Sequence, residues 1–160
     1  MLIENNQIIL KKFLRKNITN EYLSWLNNPD NTKYSRLKNQ KIKKNAAINY
    51  FKDIEEKKNL FFMIFLKKLN MKIGTVTVIR KKKKVGNIGI LVGNNSYHNL
   101  GISTKVIKLL VRYLKIEKKF NFLEIGTNLA HKAMIKVAYK CKFQLHNKNK
   151  KYIYFRKRII

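Results

Sequence analysis

The chain is poor in cysteine, proline, glycine and acid. A single Cys excludes a disulfide framework within the chain and any Cys-only zinc site. One Pro and six Gly in 160 residues exclude a collagen-like or linker-rich polypeptide. Only 8 Asp and Glu stand against 37 Lys and Arg, a formal net charge of +29, so candidate carboxylates for catalysis are few. Long apolar runs are also missing. The longest, Leu60–Leu66 (LFFMIFL), is of strand length, well short of the roughly 18 residues that span a bilayer. The opening stretch MLIENNQIILKKFLRK carries charges inside its apolar part and no small-residue cleavage site. No secretory signal is read there, and a soluble cytoplasmic protein is expected.

What is present suits one folded domain over residues 1–160. The chain is 45% hydrophobic and 11% aromatic, enough for a buried core and too much for a disordered basic tail. The positive charge invites an RNA partner, with Tyr97, Tyr113, Tyr152, Tyr154 and Phe155 as stacking faces beside lysines. Two features weigh against it. Lys is spread along the whole chain, with one true cluster at Arg80–Lys84, where a dedicated phosphate binder concentrates Arg and Lys on one face. The richness in Lys, Asn, Ile, Phe and Tyr is the mark of an AT-rich coding composition. There is also no Gly-x-x-Gly loop and no aromatic ribonucleoprotein motif. A non-enzymatic RNA-binding protein therefore stands as the alternative reading.

Periodicity places the elements. Gln7–Leu14 reads as a strand. Thr19–Leu26 reads as a helix with Thr19 at its N-cap, halted by Asn27-Asn28-Pro29-Asp30. Residues 31–40 are polar and irregular. Lys43–Lys57 is an amphipathic helix with Ala46, Ala47, Tyr50, Phe51 and Ile54 on one face. Asn59–Leu66, Met71–Arg80 and Val85–Val92 form a meander of strands. Gly101–Lys118 is the clearest helix. Phe120–Thr127 is a strand, Leu129–Lys142 a helix with Ala133, Met134, Val137, Ala138 and Cys141 inward, and 143–146 with 151–158 a closing hairpin.

The junction Gly93–Thr104 (GNNSYHNLGIST) is the most informative segment. A polar loop that follows a strand and opens a long helix leaves backbone N–H groups unpaired at the positive end of the helix dipole. Gly101 lets a pyrophosphate approach the backbone there. The spacing is neither that of a dinucleotide-binding fingerprint nor of a P-loop.

With this order of elements, His98-Asn99-Leu100-Gly101-Ile102-Ser103 resembles the acetyl-CoA motif of the GCN5-related N-acetyltransferases (GNAT), Gln/Arg-x-x-Gly-x-Gly/Ala. His98 departs at the first position and Ser103 at the last. Ile88–Gly93 resembles the family's splayed fourth strand. Tyr22–Asp30 with Lys33-Tyr34, and Gly126–Met134 through Lys140–Phe143, are similar to members near the ribosomal-protein N-terminal and amino-sugar acetyltransferases. His131 stands where Asn is usual and Lys142 where Gly is usual. The resemblance implies a mixed α/β GNAT fold: a mostly antiparallel twisted sheet of six to seven strands, splayed at the fourth, flanked by four helices.

It implies direct transfer from acetyl-CoA to a primary amine, with no metal and no covalent enzyme intermediate. The acceptor expected first is a nucleotide-linked amino sugar for surface glycans, and second a protein N-terminal amine; a homodimer is compatible with it. The cofactor set is Ile90, Leu91, Val92, His98, Asn99, Gly101, Ile102, Ser103, Thr104 and His131, with a backbone N–H of Leu91 or Val92 at the oxyanion. Trp25, Asn27 and Tyr34 are candidates for the acceptor pocket. For acid–base work the candidates are Glu124, on the strand after the splay, Asp30, and Tyr139. The family often places an acidic base on its fourth strand, and Asn87 stands near that place. Its helix tyrosine falls at Ala138, which leaves Tyr139 turned by about 100°.

Overall fold

The computed structural model describes residues 2–160. Eight strands join one sheet in the order β1-β2-β3-β4-β5-β6-β8-β7. They are β1 (Leu2–Glu4), β2 (Ile8–Lys12), β3 (Leu60–Leu66), β4 (Met71–Lys82), β5 (Val85–Val92), β6 (Phe122–Asn128), β7 (Gln144–Lys148) and β8 (Tyr152–Arg158). Five α-helices accompany them: α1 (Asn20–Asn27), α2 (Pro29–Thr32), α3 (Lys44–Glu56), α4 (Ile102–Glu117) and α5 (Lys132–Lys140). All neighbours pair antiparallel except β5 with β6. No helix among the described residues is long and apolar enough to cross a membrane.

The continuous apolar run of β3 has a direct cause: both faces of the sheet are covered. Phe62 and Ile64 pack into one core with α4 and α5, while Phe61 and Met63 pack into another with α1 and α3. A strand buried on both sides has no reason to alternate polar with apolar. On α4, Ile102, Val106, Ile107, Leu109, Leu110 and Leu114 are buried at helical spacing. In the second core Phe13 stacks on Phe61 at 4.0 Å between centroids, and Tyr22 meets Trp25 edge to face.

The departures from expectation are local. The sheet has an eighth strand, β1, a three-residue edge strand too short for a periodic signal. Pro29 ends α1 as expected but also begins α2. Its missing N–H is one that the first turn of a helix leaves unpaired anyway, and the Asn28 side chain accepts from Asp30 N at 3.0 Å. α5 starts at Lys132 rather than Leu129, and Ala133 faces solvent while Met134, Ala138 and Cys141 are buried. Ala46 is likewise exposed on α3, while Tyr50, half-exposed, keeps its ring edge-on against Phe61.

Candidate active site

The parallel pair β5–β6 is joined only at one end, Val85–Asn87 against Phe122–Glu124. Beyond that, β5 runs on to Val92 alongside β4, and β6 runs on to Asn128 alongside β8. The two strands therefore splay, and their facing edges are open. Gly93 N donates to Ile73 O at 2.8 Å. With the two-residue period of an antiparallel ladder, Leu91 and Gly89 also turn their N–H groups toward β4, while Ile90 and Val92 turn theirs into the splay. Of the two backbone donors expected at the oxyanion, the register thus keeps Val92, adds Ile90 and withdraws Leu91, whose N–H is used within the sheet.

The loop after β5 ends in two left-handed residues, Asn99 (φ 60°) and Gly101 (φ 74°, ψ 14°), and Gly101 caps α4. Gly101 is exposed, and a Cβ there would meet nothing within 4 Å. No side chain caps this helix and no acid lies in its first turn, where Ser103 and Thr104 are half-buried. The first-turn N–H groups are thus left for an anion. Ile102 is a core residue. His98 folds back, and its Nε2–H donates to Val92 O at 2.6 Å. The imidazole occupies one of the two outward carbonyls of the splayed edge, a bond that no sequence pattern announces.

A strap from α1 to the residues after α2 bridges the mouth of the splay. On the β5 side Trp25 lies flat against Gly93, and Asn31 Nδ2 donates to both Trp25 O (3.1 Å) and Gly93 O (3.0 Å). On the β6 side Tyr34 stacks on His131 at 4.6 Å. His131 Nδ1 lies 3.1 Å from Thr127 Oγ1 on β6, and its Nε2 has no hydrogen-bond partner among the described residues. Burial, assisted by the charge of Lys33, holds its pKa below the ordinary 6.5, so the ring is neutral near pH 7.

The remaining candidates are either exposed or engaged elsewhere. Asn27 clamps the strap: its Oδ1 accepts from Ile42 N (2.6 Å) and its Nδ2 donates to Ile42 O (2.9 Å). Asp30 is exposed on α2. Tyr139 is exposed and packs edge-on against Phe155. Glu124 is buried and receives Arg156 Nε at 2.9 Å, with Lys81 Nζ at 3.5 Å. Burial pushes this carboxyl upward, but the bond and charge of Arg156, with Lys81, more than reverse it and hold it below its ordinary 4.5. An acid held ionised this way is a poor proton acceptor. Its stabilising contribution is complete above its unfolded value and is lost as pH falls through the folded one. Glu124→Gln should cost about 2 kcal/mol in urea melts at pH 7, with the difference from wild type shrinking below about pH 4.

A splayed parallel pair beside a left-handed glycine loop that opens a long helix is the arrangement the sequence resemblance implied. The family model described as an acetyltransferase (GNAT) domain matches residues 7–144. The chain belongs to the GNAT family. It is an enzyme of the acetyltransferase class. Solved structures share the fold over almost the whole length. A ribosomal L7/L12 alpha-N-protein acetyltransferase, RimL, in complex with coenzyme A is 12% identical at a TM-score of 0.82, covering 99% of this chain and 98% of that one. The microcin C7 self-immunity acetyltransferase MccE, in complex with acetyl-CoA and AMP, is 20% identical at 0.79, covering 96% and 93%. The spermidine N-acetyltransferase of Vibrio cholerae, in complex with CoA and spermine, is 12% identical at 0.82, covering 96% of each chain. At these identities the likeness is one of fold. No curated protein matches the chain by sequence.

Proposed function

We propose that this protein transfers the acetyl group of acetyl-CoA directly to a primary amine on a small cytoplasmic molecule, with a nucleotide-linked amino sugar as the first acceptor to try. The observation that carries the reading is the splay itself. Its open β5 edge suits the amide-bearing arm of CoA, and the Gly101 loop at the start of α4 suits the pyrophosphate. His98 must yield or share Val92 O as the arm binds. The residues that would hold the co-substrate are Ile90, Val92, Asn99, Gly101, Ser103 and Thr104. The co-substrate supplies the activated acyl group. The chain supplies position and, at the N–H of Ile90 or Val92, a donor for the negative charge that develops on the carbonyl oxygen.

The attacking amine must lose a proton. We assign its acceptance to His131, a neutral imidazole on the β6 side of the splay, in the tautomer whose Nδ1–H donates to Thr127 and leaves the lone pair on Nε2. This role replaces those weighed for Glu124 and Asp30. His131→Asn restores the residue the family resemblance expects, so it separates two roles. A residue that only binds the co-substrate tolerates Asn. A base does not, and kcat should then fall about 100-fold with the KM for acetyl-CoA little changed. In the wild type kcat/KM should drop as pH falls through the lowered His131 pKa. A pH profile of the Asn variant that keeps the wild-type acid limb would remove His131 from this role.

The primary test is acetyl-CoA binding and turnover. Acetyl-CoA at tens of micromolar should raise the melting temperature, since it binds only the folded state, and CoA release should depend on added amine. No shift with either acetyl-CoA or CoA overturns the reading.

A further inference from the structure

A cavity of about 460 Å³ opens beside the strap, between the segment after α2 and the β7–β8 turn, at the end of β6. Lys33, Arg36, Lys38 and Lys151 line it, with Tyr34 on one wall and Tyr152 on the other. Its remaining lining is hydroxyl and carboxamide, and no carboxylate takes part. None of these four cations forms an ion pair among the described residues, although six of the chain's eight acids do. Lys33 and Lys151 rest over the rings of Tyr34 and Tyr152, at 5.1 and 5.4 Å, one on each wall. The cavity adjoins the site through Tyr34, which stacks on His131, where burial lowers the pKa and the charge of Lys33 adds to it.

We propose that this cavity is the acceptor subsite, and that it recognises a phosphate or diphosphate group on the molecule whose amine is acetylated. The proposal rests on the acetyltransferase reading above. The cavity lies within the roughly 300–1,000 Å³ range of small-molecule sites, enough for a nucleotide-sized group. Four cations without an ion-pair partner, gathered around one solvent-open cavity, attract a polyanion there. Arg36 offers a planar fork for two phosphate oxygens. The two tyrosines offer flat faces to a base or a sugar. The same field opposes a polyamine. Phosphate also occurs on CoA, so the source of the anion must be separated. The CoA pyrophosphate is provided for at Gly101, on the loop after β5, whereas the cavity lies past the end of β6.

The experiment measures binding of uridine diphosphate and of acetyl-CoA separately by calorimetry, at fixed ionic strength of about 0.15 M, near physiological. The variants are Lys33→Glu/Lys151→Glu and, as a control of equal charge change, Lys82→Glu/Lys83→Glu. The control residues sit at the β4–β5 turn, at the opposite end of the sheet. All four are exposed, so both variants should fold. Uridine diphosphate binding should weaken at least about tenfold in the first variant and less than about twofold in the second, with acetyl-CoA binding unchanged in both. Equal weakening by both variants would make the effect one of net charge. Loss of acetyl-CoA binding alone would assign the cavity to the co-substrate. No binding of uridine diphosphate to the wild type, or efficient acetylation of spermidine or of an acidic N-terminal peptide in its place, overturns the subsite. In each of these cases acetyl-CoA binding by the wild type leaves the enzyme reading standing.

Discussion

Gly101→Glu should abolish the thermal response to acetyl-CoA while leaving the unliganded protein folded. A ligand at about 100 times its Kd stabilises a folded protein by about 2.7 kcal/mol, a shift of several degrees for a domain of this size. The variant should show none of it. Gly101 has φ 74°, and a Cβ there meets no protein atom within 4 Å, so the core does not object. The left-handed backbone costs a non-glycine residue roughly 1 kcal/mol, a minor loss. What Glu adds is a carboxylate at the positive end of α4, in the space a phosphate takes. Gly101→Asn separates the two effects. Asn tolerates the left-handed region, so its melting temperature without ligand should stay near that of the wild type, while its side chain still crowds the phosphates. If Gly101→Glu responds to acetyl-CoA as the wild type does, the loop is not where the co-substrate phosphates lie.

Gly93→Ala should destabilise the active region strongly. A Cβ at Gly93 would fall 2.2 Å from the Trp25 ring, against its fused body rather than a flexible tip. Trp25 is buried, with Tyr22 against its edge, and cannot simply rotate away. Overpacking of this kind costs about 2–3 kcal/mol, seen as a fall of roughly 5–10 °C in melting temperature. The loss extends to function. Trp25 and Asn31 both seat the strap on Gly93, and the strap carries Tyr34 to His131. Turnover should therefore fall further than the folded fraction does. Unchanged melting of Gly93→Ala would mean that Trp25 does not lie against this backbone in solution.

The role of a carboxylate in this fold depends on which distant segment faces it. Eight acids in 160 residues make each one conspicuous, and Glu124 follows the splayed strand at a plausible place. Its fate is decided by β8, thirty-odd residues later, which sets Arg156 opposite it in the sheet register. His131 shows the reverse. In sequence it is a replacement for an expected Asn at the start of a helix. Only when the strap closes over it does it gain a stacking partner, a lowered pKa and the setting for the proton-accepting role proposed for it. Asn27, a candidate substrate contact in the sequence, is held in a backbone clamp, because Ile42 comes back to meet it across fifteen residues.

Composition and periodicity alone determined the class of protein. A chain with one cysteine, one proline, few acids and no membrane-length run, with amphipathic helices set between apolar strands, is led to a mixed α/β fold by local physics. Element type follows from spacings of two and three to four residues, and the Gly101 turn from a backbone angle that favours glycine. Tertiary structure decided everything that depends on contacts between distant segments. The β5–β6 splay, the bond of His98 to Val92, the strap on Gly93 and the gathering of Lys33, Arg36, Lys38 and Lys151 around one cavity all join residues far apart in the chain. A net charge of +29 spread along a sequence has no direction. Folding gives it one, because it pairs most of the scarce acids elsewhere and leaves four cations facing the same space.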